Sequence, residues 1–319
     1  MNRGLLDLAL IRLSGLSARE RLRLSETLAS AAELAALPRL GVERLIGRPL
    51  RVRDWDPAAA LARAEADGRA AGRSGIAVVG YADAAYPPLL RELSDPPLVL
   101  FCRGSLPDPE RPLAAVVGTR TPTAAGGEQA YAFGYGFGRR GVAVVSGLAL
   151  GIDARAHRGN VDAGAPSVAV LGSGLENVYP ASNRSLARRV LEAGGALLSE
   201  YPPDEPPFKH HFPARNRIIA ALGRATVVVE APVGSGALIT ADFALEQGRD
   251  VWVGTAGLEG GRGEGGRALA RSGAPAADSA DAVLEDWRWP GSAVAAGAPK
   301  SARRPYGASL ARELELELG

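Results

Sequence analysis

The chain has 319 residues, enough for two or three domains and a sizeable core. Its formal net charge is only +2, and its one cysteine, Cys102, excludes an internal disulfide and a Cys-based zinc cluster. No apolar run reaches membrane-spanning length, and Met1–Leu16 carries Arg3, Asp7 and Arg12 rather than a secretory leader's apolar stretch, so a soluble, cytoplasmic protein is expected.

Residues 1–56 hold short Leu/Ala-rich helical patterns broken at Gly15, Pro38 and Gly47, with Ser25 the expected N-cap of one. A small helical domain of this kind packs, dimerises or binds DNA through a helix-hairpin-helix, and the pattern does not choose. A helix over 57–72, a strand at 76–79 and a short strand at 98–102 follow. Proline pairs at 87–88 and 96–97 mark this stretch, 57–111, as an irregular connector and pre-core segment.

From Pro112 to about residue 288 strands alternate with helices, which predicts an α/β domain with a doubly wound, mostly parallel sheet. Strands are expected at 113–118, 142–145, 166–171, 196–199, 226–229 and 250–253, and helices at 123–140, 182–193, 215–222 and 239–247. Glycine turns follow several strands: Gly118-Thr119-Arg120, Ser146-Gly147, Gly172-Ser173-Gly174 and Gly234-Ser235-Gly236. Strand, glycine turn and helix aim backbone N–H groups and a helix's positive end at an anion, so several phosphates are the expected ligand. Residues 289–319 read as a linker and tail.

The segment FKHHFPARNRIIAALG (208–223) adds side chains to those turns. Arg215 and Arg217 flank Asn216 after Pro213, at an expected helix start, as a phosphate clamp would. Lys209 lies in the same segment, and Phe208, His210, His211 and Phe212 offer rings on which bases can stack. Charge is unevenly spread: +4 over residues 1–75, −3 over 76–110, +5 over 111–224 and −4 over 225–319. The basic stretch covers the first glycine turns and fits a polyanion.

Other chemistries find less support. Gly172-Ser173-Gly174-Leu175-Glu176-Asn177 lacks the third glycine of a dinucleotide fingerprint, and no P-loop lysine pattern occurs. The three histidines have no metal-ligand spacing, and Asp153 with His157, one helical turn apart, reads as a structural pair. The serines of the glycine turns lack a nucleophile elbow. Neither a metal nor a cofactor is expected.

Six motifs in order, VVGTR (116–120), SGLALGIDARAH (146–157), VLGSGLENVYP (170–180), SEYP (199–202), FPARNRIIAAL (212–222) and GSGALITADFALEQGR (234–249), resemble the DNA-processing protein A (DprA/Smf) family. YADAAYPPLLRELSDPPLVLFCRG (81–104) is similar to that family's pre-core segment. The resemblance implies an extended Rossmann-like core behind a small SAM- or helix-hairpin-helix-like domain, and a non-enzymatic protein. Such a protein binds and protects incoming single-stranded DNA in natural transformation, forms a homodimer and loads the RecA recombinase. By motif, the implied DNA-binding residues are Gly118, Thr119, Arg120, Ser146, Gly147, Lys209, Phe212, Arg215, Asn216, Arg217, Ser235 and Gly236. The chain departs from the family pattern at VWVGTAG (251–257) and GRGEGGRALARSGA (261–274), which bears on the pocket's rim. The family's frequent C-terminal winged-helix-like domain is expected to be absent. The rival reading is a nucleoside-monophosphate hydrolase with a related phosphate pocket, for which Asp153, Glu200 and Glu230 are the available carboxylates; Glu230 is otherwise a capping or arginine-pairing residue.

Overall fold

The computed structural model describes residues 3–105 and 108–289, which form two compact units. The first comprises residues 3–102 with Glu200–Pro203, and the second Arg103–Ser199 with residues 204–289. The expected linker and tail from 290 onward lie outside the described residues.

In the first unit, α1 (Arg3–Arg12), α2 (Ala18–Thr27), α3 (Ala31–Ala36) and α4 (Arg39–Ile46) bring Leu6, Leu8, Leu10, Leu24, Leu34 and Val42 into a core. The caps are Ser17, which makes a capping box with Glu20, and Ser30, which accepts the Glu33 N–H. Ser25 is no cap; it lies inside α2, buried, and its hydroxyl donates to Asp7 at 2.5 Å. Gly47 ends α4 in the left-handed conformation, as its place in the sequence suggests. Helix α5 (Pro57–Arg73), expected to open a connector, packs along α1, and Arg12 pairs with Asp67 of α5 at 2.5 Å. Strand β1 (Ala77–Gly80), the short helix α6 (Pro88–Arg91) and β2 (Val99–Gly104) follow; β1 and β2 pair antiparallel with Val78 opposite Phe101.

The second unit is a parallel sheet. In chain order it holds β3 (Leu113–Val117), α7 (Ala124–Arg139), β4 (Ala143–Ser146), α8 (Ile152–Asp162), β5 (Ser167–Val170), α9 (Arg184–Glu192), β6 (Ala196–Ser199) and α10 (His211–Leu222). Then come β7 (Gly223–Val228), α11 (Gly236–Glu246), β8 (Asp250–Gly254), α12 (Glu264–Arg271), β9 (Ala276–Ala277) and α13 (Ala280–Asp286). The strand order is β6-β5-β4-β3-β7-β8-β9, each neighbouring pair parallel. The unit has the doubly wound, Rossmann-like architecture read from the alternation of elements. The chain steps outward from β3 through β4, β5 and β6, then crosses back to β7 on the other side of β3. Right-handed crossovers therefore set α7, α8 and α9 on one face and α10 and α11 on the other. Phe133 and Phe137 of α7 are fully buried, and α13 closes the face with Trp287 stacked on Phe137 at 6.2 Å.

Two expectations change here. Helix α10 begins at His211, not 215, so Phe212 and Pro213 belong to its first turn, where proline costs no hydrogen bond. Residues 264–271, in a glycine-rich stretch, and 280–286 are also helices.

Candidate nucleic-acid interface

The direction of winding reverses between β3 and β7, and the turns after them splay apart at the carboxyl edge. A cavity of about 770 Å³ opens there. Gly118, Thr119 and Arg120 line it from the turn after β3, and Ser235 and Gly236 from the turn after β7. Lys209, Phe212, Arg215 and Asn216 line it from α10 and the loop before it. Nine of the residues singled out in the sequence are thus brought together, and Ser146, Gly147 and Arg217 are not among its lining.

Each of these three lies off the lining for a local reason. Ser146 is fully buried, and its hydroxyl donates to the Val116 carbonyl at 2.6 Å. Gly147 lies underneath the cavity: a Cβ there would fall 2.1 Å from the Arg215 guanidinium, so only glycine admits that side chain. Arg217 is buried and donates to the Ala214 carbonyl at 2.9 Å, one turn back on its own helix.

Arg215 borders the cavity, but it is not an open clamp. It is 4% exposed, donates to the Val170 carbonyl at the end of β5, and packs on the glycine turn after β4. Asp153, at the start of α8, accepts the Gly147 N–H at 3.0 Å. Burial pushes the Asp153 carboxyl up, while Arg215 and the Ala149 and Gly147 N–H groups pull it down. The expected Asp153–His157 pair does not form. His157 is buried against the Ser167 hydroxyl at 2.7 Å, and burial, reinforced by Arg215, lowers its pKa to about 3. Leu148 has φ 54° between these groups, and Asn183 holds that strained turn by donating to the Leu148 carbonyl at 2.9 Å.

The open cations are on the rim. Arg120 and Lys209 are exposed, and the Arg120 guanidinium lies 5.6 Å from the Phe212 ring centroid, in cation–π range. Phe212 also meets the ring of Tyr179 at 5.6 Å, and Tyr179 is 46% exposed. Sequence reasoning passed over Tyr179; its signal was an aromatic next to Pro180, downstream of a glycine turn. Beside them Phe208, 47% exposed, stacks on His210 with centroids 5.9 Å apart.

Helix α11 supplies the anion-facing end. Ser235 is its N-cap, accepting the Ala237 N–H, and the Cβ direction of Gly236 is open space. Asn216 donates to the Gly236 carbonyl at 3.0 Å and so locks α10 to this end. Glu230, one of the carboxylates available to the hydrolase reading, is 1% exposed; its Oε2 accepts the Thr123 N–H and hydroxyl, both at 3.0 Å, at the start of α7. Neither departing segment, 251–257 or 261–274, lines the cavity, though Arg262 donates to the Thr121 carbonyl behind the first turn. Among the described residues there is no cluster of three metal-ligating side chains, and no helix is long and apolar enough to cross a membrane.

Comparison with known proteins agrees with this fold. The DNA processing protein DprA of Streptococcus pneumoniae is 39% identical over 207 residues, covering 65% of this chain and 73% of that protein. Protein Smf of Escherichia coli is 44% identical over 180 residues, 55% of this chain and 48% of Smf. Smf of Synechocystis is 46% identical with 44% of its length matched, so the chain spans about half the length of these Smf relatives. The X-ray structure of the S. pneumoniae DprA superposes with a TM-score of 0.70 at 32% identity, over 87% of this chain and 95% of that one. DNA processing protein A from Helicobacter pylori, solved to address its single-stranded DNA binding mode, superposes with a TM-score of 0.60 at 25% identity, over 67% and 95%. The model of DNA recombination-mediator protein A matches residues 77–288, more than half of the sequence, and the chain therefore belongs to that family.

Proposed function

We propose that this protein binds single-stranded DNA through its phosphates at the carboxyl edge of the sheet, without sequence preference and without catalysis. It acts in the cytoplasm as a homodimer that protects the strand during natural transformation and hands it to the RecA recombinase. The observation that carries the reading is the cavity at the β3–β7 reversal, where Arg120 and Lys209 stand exposed beside the N-terminus of α11 and the rings of Phe212 and Tyr179. Cations and helix N–H groups take phosphates, while rings at the rim stack on any base. The name of the H. pylori relative's structure, which concerns single-stranded DNA binding, supports the same ligand. Glu230, one of the three carboxylates open to a hydrolase, is buried with its Oε2 held at the start of α7, which favours binding over hydrolysis.

The test is a fluorescence-anisotropy titration of labelled dT across a salt series. Wild type should bind with a steeply negative salt slope. Arg120→Ala/Lys209→Ala should flatten that slope by about 1.4, two single-strand phosphate contacts at ~0.7 each. Equal binding by the double variant would remove the cavity from the reading.

A further inference from the structure

Helices α8 and α9 both start at the carboxyl edge that carries the cavity and run back along one face of the sheet. Arg155 and Arg158 lie on α8, and Arg184, Arg188 and Arg189 on α9; all five are exposed. Spacings of three and four residues keep Arg155 with Arg158, and Arg184 with Arg188, on one side of each helix. The two helices pack against each other. Only two exposed carboxylates, Asp162 and Glu192, share these helices, and Asp162 pairs with Arg189. Among the described residues no carboxylate lies within ion-pair distance of Arg155, Arg158, Arg184 or Arg188. Arginine is abundant throughout the chain, and Arg44, Arg63 and Arg73 are likewise exposed without a carboxylate; what distinguishes this face is that four such arginines share two packed helices.

Aromatic surface adjoins these cations. Tyr135 of α7 is 41% exposed and lies nearly parallel to Tyr131, with centroids 6.2 Å apart and planes at 14°. The Tyr131 hydroxyl donates to Asp162 at 3.0 Å, which fixes the pair of rings against α8 and, through Arg189, against α9. The face is also continuous with the cavity. Arg155 lies against Gly127 in the first turn of α7, and the preceding loop carries Arg120. Arg184 opens α9 five residues after Tyr179, which lines the cavity.

We propose that the α7–α8–α9 face is a second phosphate-binding track, along which a single strand leaving the cavity continues. Unpaired arginines in two rows beside an exposed ring fit a polyanion that carries planar bases. The proposal rests on the reading of the cavity as a single-strand site. A strand long enough to leave the cavity feels the track, and one that only fills the cavity does not.

The experiment compares dT of about 6 and about 30 nucleotides over a salt series. The proteins are wild type, Arg158→Ala/Arg188→Ala and Arg158→Lys/Arg188→Lys. The alanine variant should bind the short strand as wild type does. It should bind the long strand about 25-fold more weakly at 0.1 M salt, with a slope shallower by about 1.4, the loss expected for two phosphate contacts. The lysine variant should restore both, because charge and not packing is the cause. Unchanged long-strand affinity and slope in the alanine variant, with wild type binding both strands, overturns the track alone. Weakened short-strand binding with an unchanged melting temperature assigns the arginines to the cavity and also overturns it. Failure of wild type to bind either strand overturns the cavity reading as well.

Discussion

Arg120 and Arg215 are both arginines in motifs that suggest phosphate binding, yet their surroundings give them different work. Arg120 is exposed beside Phe212, so its charge is available to a ligand. Arg215 is buried on the Val170 carbonyl and near Asp153, so removing it leaves an acceptor and a carboxyl without their cation. Arg215→Ala should cost about 3 kcal/mol, in the range for breaking a buried charged contact. Arg120→Ala should leave stability within ~0.5 kcal/mol, as exposed substitutions do, while weakening DNA binding. Melting curves beside titrations separate the two. An Arg215→Ala protein that melts like wild type but does not bind would return Arg215 to the role of open clamp. The motif reveals that arginines are needed here; which of them meets the ligand depends on burial.

Among the elements, α7 and α8 lie close because their contact is made of small residues. A Cβ on Gly134 would stand 2.0 Å from the Ala156 carbonyl, so Gly134→Ala must push the helices apart. The expected loss is about 2 kcal/mol, as for an overpacked core. Gly127→Ala in the same helix is the control. Its Cβ would have ordinary neighbours at 3.8 Å, and helix propensity predicts a gain of roughly 0.5–1 kcal/mol. Denaturant midpoints measure both, and a gain at Gly134 would mean that the close approach is not rigid. The run AFGYGFG reads from the sequence as a helix despite its glycines, but the reason for them is visible only in the neighbour. The start of α10 was misplaced for a related reason: Pro213 looks like a boundary, whereas in a first turn it leaves no hydrogen bond unmade.

At the scale of the whole molecule, two buried titratable groups in different units oppose each other. Burial raises the Asp7 carboxyl to about 6, against its Ser25 hydrogen bond. Its folded pKa lies above the unfolded value of 3.8, so its contribution is fully present below pH 3.8 and lost as pH rises through 6. With His157 lowered to about 3 from 6.5, the contribution is present above pH 6.5 and lost as pH falls towards 3. Between pH 4 and 6 each group changes stability by up to about 1.4 kcal/mol per pH unit, with opposite signs. Asp7→Asn should therefore gain about 2 kcal/mol over wild type between pH 4 and pH 6, while keeping an acceptor for Ser25. Urea denaturation at the two pH values checks this, and an equal difference at both would show that Asp7 ionises freely in the folded protein.

Much was readable without coordinates. β-Branched runs gave the strands, glycines after them gave the turns, and their alternation gave a parallel sheet whose ligand belongs at its carboxyl edge, because hydrophobic period and turn chemistry are local properties of a chain. Gly118, Arg120, Ser235 and Gly236 could be named for that reason. Tertiary structure alone decided the rest: that the turns after β3 and β7 meet at one cavity, that Ser146 and Arg217 do not line it, that Arg215 and Glu230 are held by groups of the fold, and that, among the described residues, Arg155, Arg158, Arg184 and Arg188 have no carboxylate partner. Those outcomes depend on which residues, distant in sequence, become neighbours, and burial rather than residue type then sets whether a polar group serves the fold or faces a ligand.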